Sequence, residues 1–127
     1  MSRTLTLSFA ESALAAARDL AKRNRPSAAL ARLTAALGAG VLPAATAADA
    51  HRLAARLHAD AERYASARRH LREAAKLEPR DAGTRYQLGL AFQNDPHGCD
   101  DRAARCFRTA VGLAASLPDR RLAEGEA

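Results

Sequence analysis

Small apolar residues recur along this chain at helical spacing. In the segment 64–77, Ala67, Leu71, Ala74 and Ala75 fall on one side of a helical projection, and Arg68, Arg69, Arg72 and Lys76 fall on the other. A stripe with that period marks an amphipathic helix and fixes which side packs. The apolar half of the pattern is written three times, as Ala29-x3-Leu33-x2-Ala36, Ala67-x3-Leu71-x2-Ala74 and Ala103-x3-Phe107-x2-Ala110. A second helical segment precedes each copy, and these align too: Ala16-Ala17-x2-Leu20, Ala54-Ala55-x2-His58 and Leu88-Gly89-x2-Phe92. Six helices in three antiparallel pairs are predicted, the signature of a repeat architecture.

Helix-boundary signals agree with this division. Ser8-x-x-Glu11 reads as a capping box opening the first helix, Pro26 suits the first turn of the second, and Asp81 can cap the fifth. Asp100 and Asp101 fall in the first turn of the sixth, where the helix dipole favours negative charge. The linker Gly38 to Pro43 and the turn Asn94 to Gly98 are longer than the remaining connections and fall between helices, where solenoids tolerate insertions.

At Leu88-Gly89-x2-Phe92, and again at Tyr64-x2-Ala67-x3-Leu71-x2-Ala74 followed by Leu77-Glu78-Pro79, the chain resembles the tetratricopeptide repeat. That family has a period of about 34 residues, with Leu-Gly-x2-Tyr in its first helix and Ala-x3-Phe in its second. The resemblance spans roughly residues 8 to 117, as units 8–37, 46–79 and 81–117 with a tail 118–127. No unit has the family's tryptophan; Ala13, His51 and Arg85 stand in its place. The resemblance implies an all-α, right-handed solenoid of three helical hairpins within a single domain. It also implies a concave groove, lined by the first helix of each hairpin, that binds a peptide or helix of another protein. Matched to the repeat, Arg18 and Lys22, Arg52 and Arg56, and Tyr86 with Leu90 line that groove. The four cations would form a basic floor and Tyr86 an apolar anchor, so an acidic peptide with one hydrophobic residue is the expected ligand. In the competing arrangement Arg18 pairs with a carboxylate such as Asp49 and the floor is largely neutralised. The family's carboxylate clamp mixes asparagines with its cations, and recognition of a free C-terminus is not carried over.

Composition narrows the picture further. With 127 residues the chain holds one domain with one continuous core. Hydrophobic residues make up 48% and aromatics only 4%, with alanine dominant, so the core must come from close helix packing. Strand-favouring residues are too few and scattered to build a sheet. No apolar run reaches membrane-spanning length, Glu11 and Asp19 interrupt any secretory signal, and Cys99 and Cys106 are too far apart on one helix for a disulfide. A cytoplasmic protein without a membrane partner is expected. The net charge of +6 fits an acidic partner, a nucleic acid or an arginine-rich proteome.

Chemistry-bearing clusters are thin. His97, Cys99, Asp100 and Cys106 match no paired-cysteine zinc spacing, so a small buried Cys106 beside Phe107 and a His97 in an exposed turn are expected. His51 and His58 lie two turns apart with Asp60 and Glu62 nearby, but His58 aligns with Leu20 and Phe92 and reads as a packing residue. There is no phosphate-binding glycine loop or nucleophile elbow. The expected protein is a non-enzymatic interaction module with no cofactor and no metal. Its rival is a nucleic-acid (RNA) binder using two basic stripes: Arg68, Arg69, Arg72 and Lys76, and Arg102, Arg105 and Arg108. Val111, Leu113 and Leu117 follow with no seventh capping helix evident, which points to a homodimer through the last repeat or to folding back of Leu122.

Overall fold

The computed structural model describes residues 2–40, 42–98 and 100–115, with backbone alone for residues 2–7. These residues form six helices and no strand: α1 (Ser2–Lys22), α2 (Pro26–Gly38), α3 (Ala44–Asp60), α4 (Tyr64–Leu77), α5 (Ala82–Asn94) and α6 (Asp100–Ala115). Each odd-numbered helix packs antiparallel on the next, and α2 on α3 and α4 on α5 join the hairpins in sequence. The chain is an all-α stack of three helical hairpins. The tail 118–127, with Leu117 and Leu122, lies outside the described residues, as do Val41 and Cys99.

The first two hairpins turn through the same device. Asn24 and Glu62 adopt left-handed φ values of 59° and 61°. In each, the next residue reaches back to close the helix: Arg25 N–H to the Leu20 carbonyl at 2.9 Å, and Arg63 N–H to the His58 carbonyl at 2.8 Å. This is a Schellman ending, which satisfies orphan carbonyls at the C-terminus of a helix. The third hairpin replaces it with the longer turn through Asp95 and Gly98, closed by Gly98 N–H to the Asp95 carbonyl at 2.8 Å.

The repeated apolar register is the core. Ala29, Leu33, Ala36, Ala67, Leu71, Ala74, Ala103 and Ala110 are all buried, with Phe107 half-buried as the ninth member. Two main clusters result, one around Leu14, Leu33 and Leu57 and one around Leu71, Leu88 and Phe92. Alanine at the contact points lets the helix axes approach closely. At Gly89 the approach of α5 to α6 leaves no room for a side chain: a Cβ there would lie 2.6 Å from the Phe107 ring.

Pro26 opens α2 and the Asp81 carboxylate accepts the Thr84 N–H to cap α5, while Asp100 and Asp101 open α6. The capping box at Ser8 is corrected: α1 starts at Ser2, and both Ser8 and Glu11 stand exposed within it. No glycine or proline separates Ser2 from Ser8, so nothing in the backbone stops the helix there. At the far end Val111 is 69% exposed and Leu113 half-buried.

Candidate functional site

The first helices of the three hairpins converge on one open cavity of about 510 Å³, lined by Arg18 and Lys22 of α1, Asp49, Arg52 and Arg56 of α3, and Gln87 of α5. The four cations expected in the groove are thus brought together. The i, i+4 spacing explains it: Arg18 and Lys22 share one face of α1, and Arg52 and Arg56 share one face of α3.

Their charges are not equivalent. Asp49 stands between α1 and α3, 3.7 Å from Arg18 and hydrogen-bonded to Arg52. Arg52 goes on to donate to Glu78 at 2.9 Å, to Asp81 at 3.2 Å and to the Thr84 hydroxyl at 3.2 Å. Burial works against its charge, but its hydrogen bonds to Asp49 and Glu78 and the nearby Asp81 outweigh that and hold the guanidinium above its ordinary pKa. Thr84 is fully buried, and its hydroxyl also donates to Asp81 at 2.5 Å. Arg52 therefore ties α3 to the α4–α5 connection and to the cap of α5. Lys22 and Arg56, both exposed, form no hydrogen bond or ion pair with any described residue.

Beyond Arg56 a narrower cavity of about 190 Å³ runs between α3, α4 and α5, lined by apolar residues such as Leu71 and Leu90 and by polar ones that include Asp60, Tyr64 and Asn94. Leu53 lines the larger cavity and Leu90 the narrower one. Tyr86, named with Leu90 from the sequence, is half exposed and lines neither cavity; its ring tilts at 49° against Phe107 of α6, 5.6 Å away.

Opposite the groove, α3 turns its histidines into α4. The Nδ1 atoms of His51 and His70 are 3.0 Å apart, and His58 stacks on His70 with ring centroids 5.4 Å apart. Arg63 Nε donates to His58 Nδ1 at 2.9 Å. Burial, aided by His51, His58 and Arg69, lowers the His70 pKa to about 4 against the opposing pull of Glu73. Burial likewise lowers His51 and His58. These rings are neutral packing groups near pH 7. The seven-residue spacing of His51 and His58 on α3 was readable, but His70 arrives from another helix and no single-helix pattern announces it.

The remaining clusters are dispersed. Asp60 and Glu62 are exposed and form no hydrogen bond with the imidazoles. His97 is exposed in its turn, and Cys106 is half-buried rather than buried, with burial raising its thiol pKa. Among the described residues no three histidine, cysteine or acidic side chains are arranged to hold a metal ion, and no helix is long and apolar enough to cross a membrane. No protein-family model matches the chain, and no curated protein matches its sequence.

Proposed function

We propose that the chain is a protein-interaction module whose groove takes an acidic segment of a partner protein. One observation carries this reading: Lys22 and Arg56 line the 510 Å³ cavity with no carboxylate partner among the described residues, beside the narrower cavity at Leu90. An elongated acidic peptide would place carboxylates on these two cations and a hydrophobic side chain in the narrower cavity. Arg18 and Arg52 act differently. Asp49, Glu78 and Asp81 occupy the Arg52 fork and Asp49 lies 3.7 Å from Arg18, so these two arginines shape the wall. The tetratricopeptide resemblance gives the same groove its role by analogy, since a fold alone does not define a function.

The test is affinity capture from the native cell extract with the wild-type chain and with Lys22→Glu/Arg56→Glu. Both side chains are exposed, so helicity is expected to stay intact while the acidic partner is lost. Capture unchanged by this reversal would refute the groove as the binding surface.

A further inference from the structure

The second and third hairpins meet along a furrow on the side of α5 away from the groove. On α5, Phe92 lies about 200° round from Leu90, since each residue turns the helix by about 100°. Three guanidinium groups gather over the Phe92 ring: Arg68 at 4.9 Å and Arg72 at 5.9 Å from α4, and Arg102 at 5.9 Å from α6. The two basic stripes that the sequence places on separate helices are therefore one surface, with α5 as its floor.

Within this surface Arg68 is neutralised by Asp95 at 2.8 Å and Lys76 by Glu73 at 3.1 Å. Arg72, Arg102 and Arg105 are exposed and have no carboxylate partner among the described residues. Asp100 and Asp101 lie one turn away on α6 yet form no ion pair with them. Arg85, on α5, turns a buried Nε into this region without any hydrogen-bond acceptor. The Cys106 thiol marks where these charges converge: burial raises its pKa, and Arg85, Arg72 and Arg105 oppose that rise. The groove shows the reverse pattern, with carboxylates already seated on Arg18 and Arg52.

We propose that the α4–α6 furrow binds the phosphate backbone of single-stranded RNA, with Arg72, Arg102 and Arg105 contacting successive phosphates. Guanidinium forks match phosphate oxygens in pairs and with direction. The cations are strung along two helices instead of closing round a point, which suits a chain of phosphates better than a single anion. A peptide would need an apolar slot, and here Phe92 is only 6% exposed beneath its arginines. Among the described residues no exposed ring lies over Phe92, so the binding rests on phosphate contacts, which carry no sequence information.

The experiment is fluorescence anisotropy of a labelled oligouridylate titrated with the full chain over a series of salt concentrations. Affinity is expected to fall log-linearly with salt, with a slope of about −0.7 per phosphate neutralised. Arg72→Gln/Arg102→Gln is expected to weaken binding about tenfold at low salt and to flatten the slope by about one to two phosphate contacts. The charge-matched groove variant Lys22→Gln/Arg56→Gln is expected to bind RNA as the wild type does. If Arg72→Gln/Arg102→Gln loses helicity, the Arg105→Gln variant carries the same comparison alone. No salt-dependent binding, equal losses in furrow and groove variants, or competition by polyglutamate as effective as by unlabelled RNA would each overturn the proposal. Partner capture through the groove is a separate readout, so the two sites fail independently.

Discussion

His51 on α3 and His70 on α4 share a single hydrogen bond between their Nδ1 atoms, 3.0 Å apart. One ring must donate and the other accept, so the contact needs at least one neutral imidazole. Three of the chain's four histidines lie in this column, with Arg63 and Arg69 adding positive charge and Glu73 the opposing negative charge. The folded-state pKa values are depressed below the ordinary 6.5, to about 4 for His70. A depressed histidine pKa means that the unfolded chain binds protons first, so the stability is present above about pH 6.5 and is lost as pH falls toward 4. The loss is expected to reach about 1–2 kcal/mol once the half-exposed position is discounted for solvent screening. Urea melts at pH 7 and pH 4.5 measure it, and His70→Phe should remove most of the difference.

Gly89 is where the family-like motif and the packing coincide. A methyl group there would meet the Phe107 ring at 2.6 Å, while alanine is intrinsically better in a helix by about 1 kcal/mol. The clash is expected to win, with Gly89→Ala destabilising by about 1–2 kcal/mol in thermal or urea melts. Pairing it with Phe107→Leu should recover the stability, because the smaller side chain vacates the contact.

Glu62 is a non-glycine residue in a left-handed conformation with φ of 61°, exposed and without an ion pair among the described residues. Glycine is the preferred residue at this position of a Schellman ending. Glu62→Gly is expected to stabilise by about 0.5–1 kcal/mol, read as a higher urea midpoint at unchanged slope. The same change at Gln93, within α5, should do the opposite.

Arg52 anchors the second hairpin to the third. Removing it leaves Glu78 and Asp81 without their guanidinium and the buried Thr84 hydroxyl without one donor. Arg52→Ala is expected to cost about 1–3 kcal/mol, whereas Arg56→Ala, which breaks no side-chain hydrogen bond or ion pair among the described residues, should stay within about 0.5 kcal/mol of wild type. Equal effects would contradict the division between the structural and the ligand-facing arginine.

The fold was legible where a single helix carries the information. The thrice-written alanine and leucine register is the core, and Pro26 and Asp81 stand at the helix starts they signal. What sequence reading missed crosses helices. His70 joins His51 and His58 from α4, Arg68 leaves its solvated stripe to cover Phe92 and pair with Asp95, and Arg52 spends its charge on the α4–α5 connection. The Ser8 signal misled because a capping box is a local pattern, while a helix ends only where its backbone or packing ends it. Tyr86 and Leu90 share a helix face, yet only Leu90 meets the groove, since α6 offers Phe107 to the tyrosine.

The groove is tested most directly by amide chemical-shift mapping of the full chain during titration with a glutamate-rich peptide bearing one leucine. Shifts concentrated at Lys22, Arg56, Gln87 and Leu90, and abolished by Lys22→Glu/Arg56→Glu, are the expected result. Shifts concentrated at Arg72, Arg102 and Arg105, with the groove silent, would contradict it and place acidic-ligand binding on the opposite face.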